Sequence, residues 1–369
     1  YDPIKKEYSF KKITKFYNNG KRETIEITTE TGKKIKCTKD HKILTSNGFI
    51  EAENAIQIGS PTTYHHDKRK KLIIARLFGH IIGDGYLSTN KKCVGFSGKG
   101  NKKDLIKIKE DLKEIGFESG NIYTRETNSK ITTSCGKIHK VKGISQELRS
   151  STYCHNFFSK LGAPIGTKIE SEFKIPSWLK KSSKEEKAEF LAALVASDGI
   201  APEQQQKSPK AISSIRYTFN YLKEREKEGS ILAKEIQKLF KDLNIKTSLT
   251  KRKGNIRKNG KIKEKYVITI HNEIMNTIKF LEQIGYRYCE IKENKAKRWL
   301  TYLKAKEFEA KKLNQLKIKA KKIQKEKGWG KTKIAKILGV EVYQARDWLY
   351  KNYKTRAKNN FPAFSKWIK

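Results

Sequence analysis

Residues 72 to 86 read Leu72-Ile-Ile-Ala-Arg-Leu-Phe-Gly-His-Ile-Ile-Gly-Asp-Gly-Tyr86, and the pattern returns at Phe190-Leu-Ala-Ala-Leu-Val-Ala-Ser-Asp-Gly199. In both, an apolar run of helix length ends in Asp-Gly. Small residues recur every four positions, at Ala75, Gly79 and Gly83 and again at Ala188, Ala192 and Ala196, a spacing that puts them on one helical face. Such a stripe lets two helix backbones approach closely. Each helix would then deliver one carboxylate, Asp84 or Asp198, to the same end of the pair. Two neighbouring carboxylates beside a basic surface suit a divalent metal held around a phosphodiester. A lone Asp-Gly is most simply a helix C-terminal turn; two copies after matched helices favour the catalytic reading.

The composition points the same way. With 369 residues the chain has room for two or three domains, and 82 Lys and Arg against 39 Asp and Glu give a net charge of +43. Solubility alone needs far less charge, so the excess implies a polyanionic partner and salt-dependent binding. The basic helices lack the clean apolar face of a membrane-surface protein. There is no signal peptide and no apolar run long enough to span a bilayer. The five cysteines, Cys37, Cys93, Cys135, Cys154 and Cys289, contain no C-x-x-C pair, which argues against a zinc site or a disulfide framework and for a reducing, intracellular setting.

From about Leu72 to Leu303, on the two Asp-Gly helices and the lead-in Ile175-Pro-Ser-Trp178, the sequence resembles the LAGLIDADG homing endonucleases. The letters inside both motif helices depart from the family pattern, but the acids are kept. The resemblance implies an α+β fold in which two pseudosymmetric αββαββα repeats, about 72–166 and 175–303, form a DNA-binding saddle spanning a nuclease domain at 67–303. It also implies site-specific, metal-dependent cleavage of double-stranded DNA. Asp84 and Asp198 would be the metal ligands and Mg2+ the expected ion.

The family often places a basic residue near the active centre after the first hairpin strand. Lys99 fits that position in the first repeat; in the second, Lys223 is chosen, with Arg225 and Lys227 equally reachable. A plain phosphate contact is the alternative for each. The run from Lys251 to Lys263 sets turn residues between cations, so that Lys251, Arg252, Lys253, Arg257 and Lys258 read as a groove-reading β ribbon. A solvated loop is the alternative.

Upstream, residues 22 to 60 alternate as short strands, with turn signals at Thr31-Gly32 and Asn47-Gly48. The stretch from Ile35 to Gly59 is similar to the intein (Hint) block that carries a Thr-x-x-His motif, and Thr38 and His41 would match the pair that polarises the scissile amide. The resemblance makes 1–66 a partial Hint segment with an endonuclease inserted after it. Splicing also needs a first-residue nucleophile and a terminal His-Asn, whereas the sequence here opens on Tyr1 and closes on Trp-Ile-Lys369. His271-Asn272 reads as a strand-to-helix junction. The segment therefore reads as a piece of something longer, unable to splice alone.

Residues 304–369 form a third region, a basic helical linker from Lys304 to Lys327 followed by helix-turn-helix spacing. Ile334, Ala335, Leu338, Ala345 and Trp348 would face inward and Gly339 would make the turn, leaving Tyr343, Gln344 and Arg346 toward DNA. A helical hairpin without a binding role is the alternative. The expected partners are double-stranded DNA carrying the intein insertion site and the host protein before splicing, with no membrane, and the expected state is a monomer. Two rival functions stay open: a DNA- or RNA-binding regulator or maturase on the same fold, and a splicing element whose nuclease has decayed.

Overall fold

A computed structural model describes residues 14–29, 34–45, 48–55, 67–98, 101–132, 138–206, 208–256, 260–351 and 361–368. It is mixed in helix and strand, and it divides into two units. The first comprises the described parts of Tyr1–Leu77 and Gly85–Ile165; the second comprises Phe78–Asp84 and Gly166–Lys369. No helix among the described residues is long and apolar enough to cross a membrane.

The first unit opens with two hairpins. Strand β1 (Ile25–Thr28) pairs antiparallel with β2 (Lys34–Cys37), and β3 (Lys42–Thr45) with β4 (Gly48–Glu51). Thr31-Gly32 and Asn47 lie outside the described residues, while Gly48 has the positive φ that the second turn requires. Cys37, Ile43 and Ala52 form a small core with Ile25 and Ile27 against it.

Helix α1 (Lys68–Ile82) runs from the first unit into the second. Beyond it, β5 (Tyr86–Leu87), β6 (Val94–Gly98), β7 (Tyr123–Thr132) and β8 (Ile138–Ser150) form an antiparallel sheet in the order β5-β6-β8-β7. Helices α2 (Lys102–Glu114) and α3 (Thr152–Lys160) pack on this sheet. Leu105, Ile108 and Leu112 recur at helical spacing on the buried side of α2. The Asn101 side chain caps its start, accepting from the Lys103 N–H at 3.0 Å, and Gly116 ends it with φ 91°. Strand β8 alternates buried and exposed only near its end, at Gln146, Leu148 and Ser150; from Ile138 to Ile144 it is exposed throughout.

The second unit is built around α5 (Lys184–Asp198), which follows the short α4 (Ser177–Lys180). Ser183 caps α5, accepting from the Glu186 N–H, and Glu185 and Glu186 sit favourably in its first turn. Every residue from Phe190 to Ser197 is buried, so this stretch of α5 is enclosed on all sides. Phe78 anchors the end of α1 here, its ring 6.0 Å from Phe190 and edge-on to Trp178 at 5.4 Å.

Strands β9 (Gln204–Gln205) and β10 (Ser208–Ile212) make a small hairpin. A three-stranded sheet follows, in the order β11-β13-β12, from β11 (Arg216–Leu222), β12 (Thr247–Ile256) and β13 (Ile262–Ile270). Helix α6 (Glu226–Asp242) packs on this sheet, and α7 (Ile274–Gln283) packs on α8 (Glu290–Lys327). Helix α8 is unbroken over 38 residues, starting well before the basic stretch that sequence alone marks at Lys304.

The end of α8 joins α9 (Lys331–Leu338) and α10 (Val342–Tyr350) around Ala320, Ile334 and Trp348, with Ala335 and Ala345 also buried. Gly339 makes the turn with φ 62°. The aromatic tail docks as well: α11 (Phe364–Trp367) places the Phe364 ring 3.8 Å from Trp299, nearly parallel, and Tyr302 donates to the Pro362 carbonyl at 2.9 Å.

Candidate active site

The first small-residue stripe meets α5 at Gly79 and Gly83, but the facing positions are Phe190, Ala193 and Ser197 rather than the expected Ala188, Ala192 and Ala196. A Cβ on Gly79 would collide with the Phe190 carbonyl oxygen and sit 3.2 Å from Ala193 Cβ, and one on Gly83 would collide with Ser197 Cβ and Oγ. Only glycine fits at these two crossings of α1 and α5. Gly83 and Ser197 immediately precede Asp84 and Asp198, so their contact brings the two carboxylates to one place. Asp84 is half-buried and Asp198 exposed.

Two lysines that sequence reading passed over hold the helix ends carrying these acids. Lys168 donates to the carbonyls of Ile81 (3.0 Å), Ile82 (2.9 Å) and Gly83, the last turn of α1. Lys292 donates to the carbonyls of Ala196 (2.6 Å) and Gly199 (2.7 Å) at the end of α5. Each ammonium thus supplies the carbonyl partners and the positive charge that a helix C-terminus lacks. The ammonium of Lys168 is enclosed although its stem is partly exposed; burial pushes its pKa down to about 8, against the opposing pull of Asp198 and Asp84. Tyr217 feels the same two carboxylates. Burial foremost, then the charges of Asp198 and Asp84, push its hydroxyl well above the ordinary value.

A cavity of about 200 Å³ is lined by Gly83, Lys168, Asp198, Tyr217, Asn220 and Lys263 among others, while Asp84 and Lys292 are not among its lining residues. Lys223, exposed on a turn after β11, is not among its lining residues, and Lys99 lies outside the described residues. No cluster of three or more His, Cys, Asp or Glu with metal-site geometry occurs among the described residues. The donors at this place are two oxygen-bearing side chains, a set that matches Mg2+, which is commonly held by one or two carboxylates and completed by water and substrate phosphate.

The β12–β13 ribbon divides its cations between two faces. Successive strand residues point oppositely, and Lys251 lies across from Tyr266, on the side where it pairs with Glu226 of α6. Lys253 shares that face, opposite the buried Glu264, whereas Arg252 stands on the other face opposite Lys265. Arg257 and Lys258 lie outside the described residues. In the helical module Tyr343 is exposed, Gln344 accepts from the Glu341 N–H at 3.3 Å as a helix cap, and Arg346 pairs with Asp347 at 3.1 Å.

In the first unit, Thr38 and His41 line a separate cleft of about 620 Å³ with Asp40 and Arg22. The His41 N–H donates to the Thr38 carbonyl at 3.1 Å. The Asp40 carboxyl is held below its usual range, first by the Thr38 hydroxyl that donates to it and, more weakly, by Arg22.

Among known families, residues 185–285 match a LAGLIDADG-like domain, a domain of the homing-endonuclease type. The chain is also 29% identical over 337 residues to the DNA-directed RNA polymerase subunit Rpo1N of Methanocaldococcus jannaschii, covering 78% of this chain and 24% of that protein. It is 26% identical over 325 residues to the tRNA-splicing ligase RtcB of Methanopyrus kandleri (77% and 32%), and 28% identical over 352 residues to RtcB of Pyrococcus furiosus (84% and 35%). The chain thus spans about a quarter to a third of the length of these curated relatives. A nuclease or nucleic-acid-binding role follows from the domain.

Proposed function

We propose that this chain is a site-specific, metal-dependent double-strand DNA endonuclease built from two pseudosymmetric repeats and nested in an intein. The observation that carries the nuclease reading is the meeting of the two Asp-Gly helix ends, where Lys168 and Tyr217 both feel the charges of Asp84 and Asp198. The element order supports the repeats: α1-β5-β6-α2-β7-β8-α3 is followed by α5, strands through β11, then α6-β12-β13-α7. The relatives support the intein. An RNA polymerase subunit and an RNA ligase are unlike in name and task, yet each resembles this chain over only a fraction of its length, as expected for one element inserted into different hosts. The host protein and its uninterrupted gene would then be the partners, within the cell.

Asp84 and Asp198 would hold Mg2+, which when bound makes water a better nucleophile and offsets charge on the phosphate. Lys168 and Lys292 fix the helix ends that carry the acids. Lys263 at the cavity, and Arg252 and Lys265 on the sheet face, offer cations to the backbone of the duplex. Thr38 and His41 would serve the upstream splice junction of a longer protein.

The test is selection of cleaved duplexes from a randomised pool with the full chain and Mg2+. One recurring cut sequence, lost on chelation, is the expected result. Binding without cutting would support the regulator or maturase reading instead.

A further inference from the structure

The helix-turn-helix region does not hang on a loose linker. Helix α8 contains no Gly or Pro from Glu290 to Lys327. It is laced by ion pairs along its length, Glu293–Lys297 at 2.8 Å, Glu307–Lys311 at 3.9 Å and Lys322–Glu326 at 3.8 Å. Its lower end is fixed at the candidate active site, because Lys292 grips the carbonyls of Ala196 and Gly199 beside Asp198. One turn pair later Trp299 and Tyr302 are buried beneath the docked Phe364, and Lys306 donates to the Lys210 carbonyl at 2.6 Å. At the upper end Ala320 is fully buried against Ile334 and Trp348 of the module. One rigid element therefore carries contacts to both places, and its exposed stretch between them presents Lys311, Lys312 and Lys319.

We propose that α8 is a fixed-length ruler, which makes the DNA site bipartite: an inner segment at the acid pair and an outer segment, read by α9–α10, at a set distance on one side. The proposal rests on the endonuclease reading for the identity of the inner segment. Lys292 and Ala320 are separated by about 42 Å of helix at 1.5 Å per residue. Because the axis can be inclined to the duplex, that length is a ceiling. At about 3.4 Å per base pair it places the outer segment within about 12 bp of the cut. A flexible basic tether of the same charge would raise affinity without fixing any spacing.

The test leaves the protein unchanged. Duplexes bound by the full chain are selected from a pool randomised over about 60 bp, long enough to hold both segments at this spacing, and are footprinted with hydroxyl radicals. Two protected segments within about 12 bp of each other are expected. Five base pairs, about half a turn, are then inserted between them. Affinity should fall at least about tenfold, to the level of a duplex whose outer segment is scrambled. Unchanged affinity with the outer protection simply moved outward would overturn the ruler, and so would a footprint with one segment. Two segments at fixed spacing on duplexes that are never cut would overturn the endonuclease reading and leave the ruler standing.

Discussion

Replacing Gly83 by alanine puts a methyl group into Ser197. The added Cβ would overlap Ser197 Cβ and Oγ and stand 3.5 Å from the Gly79 carbonyl oxygen. Rotating the serine cannot relieve this, since its Cβ is fixed to the backbone of α5. Gly to Ala in a helical turn otherwise gains up to about 1 kcal/mol, but overpacking a close crossing costs about 1–3 kcal/mol. With a rigid atom in the way the net loss should be about 2 kcal/mol. Ser197→Gly alone removes the hydroxyl's 3.0 Å bond to the Ala193 carbonyl and adds a helical glycine, for a loss of about 1–1.5 kcal/mol. Combined, the two changes remove the collision. The double variant should then be no less stable than Ser197→Gly, with a coupling of about 2 kcal/mol. Urea midpoints at constant slope measure all three. Losses that add to within about 0.5 kcal/mol would show that the backbones are not in contact there. Because Gly83 and Ser197 precede the acids, Gly83→Ala should also slow cleavage by about 10²-fold, the scale of a displacement of about 1 Å at a catalytic group.

Three further outcomes are expected. Cys154, whose thiol is pushed up to about 12 by burial, should resist thiol reagents at pH 8 in the folded chain while half-buried Cys93 and Cys289 react; mass mapping that finds Cys154 labelled early would contradict its enclosure. In metal-free protein Lys168 titrates near 8 against an ordinary 10.5, so between those values the unfolded chain binds more protons. Stability relative to Lys168→Met should rise with pH across that window, by about 3 kcal/mol, and a flat difference refutes the burial. Arg252→Ala should weaken DNA binding and lower the salt slope by about one, whereas Lys251→Ala, paired with Glu226 on the α6 side, should change the slope little; equal losses would reverse the assignment of faces.

Which parts were legible in the sequence follows from the range of each interaction. Helix α5 ends at Asp198, α1 ends at Ile82 just before Asp84, and Gly339 turns the module as its position implies, because periodicity and turn chemistry are local. Lys168 and Lys292 were invisible among 82 Lys and Arg, since what singles them out is contact with carbonyls 85 and 93 residues away. A signal did exist: Lys168 follows shortly after α3 and Lys292 shortly after α7, the helices that would close the two proposed repeats, and so the two lysines hold matching places in the sequence. Lys251, Arg252 and Lys253 could not all face one groove. Strand alternation forbids it, but the register that assigns the faces comes only from pairing with β13.

The most direct measurement is cleavage of the selected duplex by the native chain, Asp84→Asn and Asp198→Asn with Mg2+, scored for linear and nicked product alongside gel-shift affinity. Both substitutions keep size and shape while removing a metal-binding charge. Double-strand cleavage should be abolished in each, with DNA affinity held to within about threefold, because metal ligation and phosphate attraction belong to different residues. Linear product at the native rate from either variant would contradict the assignment of the paired acids as the catalytic centre.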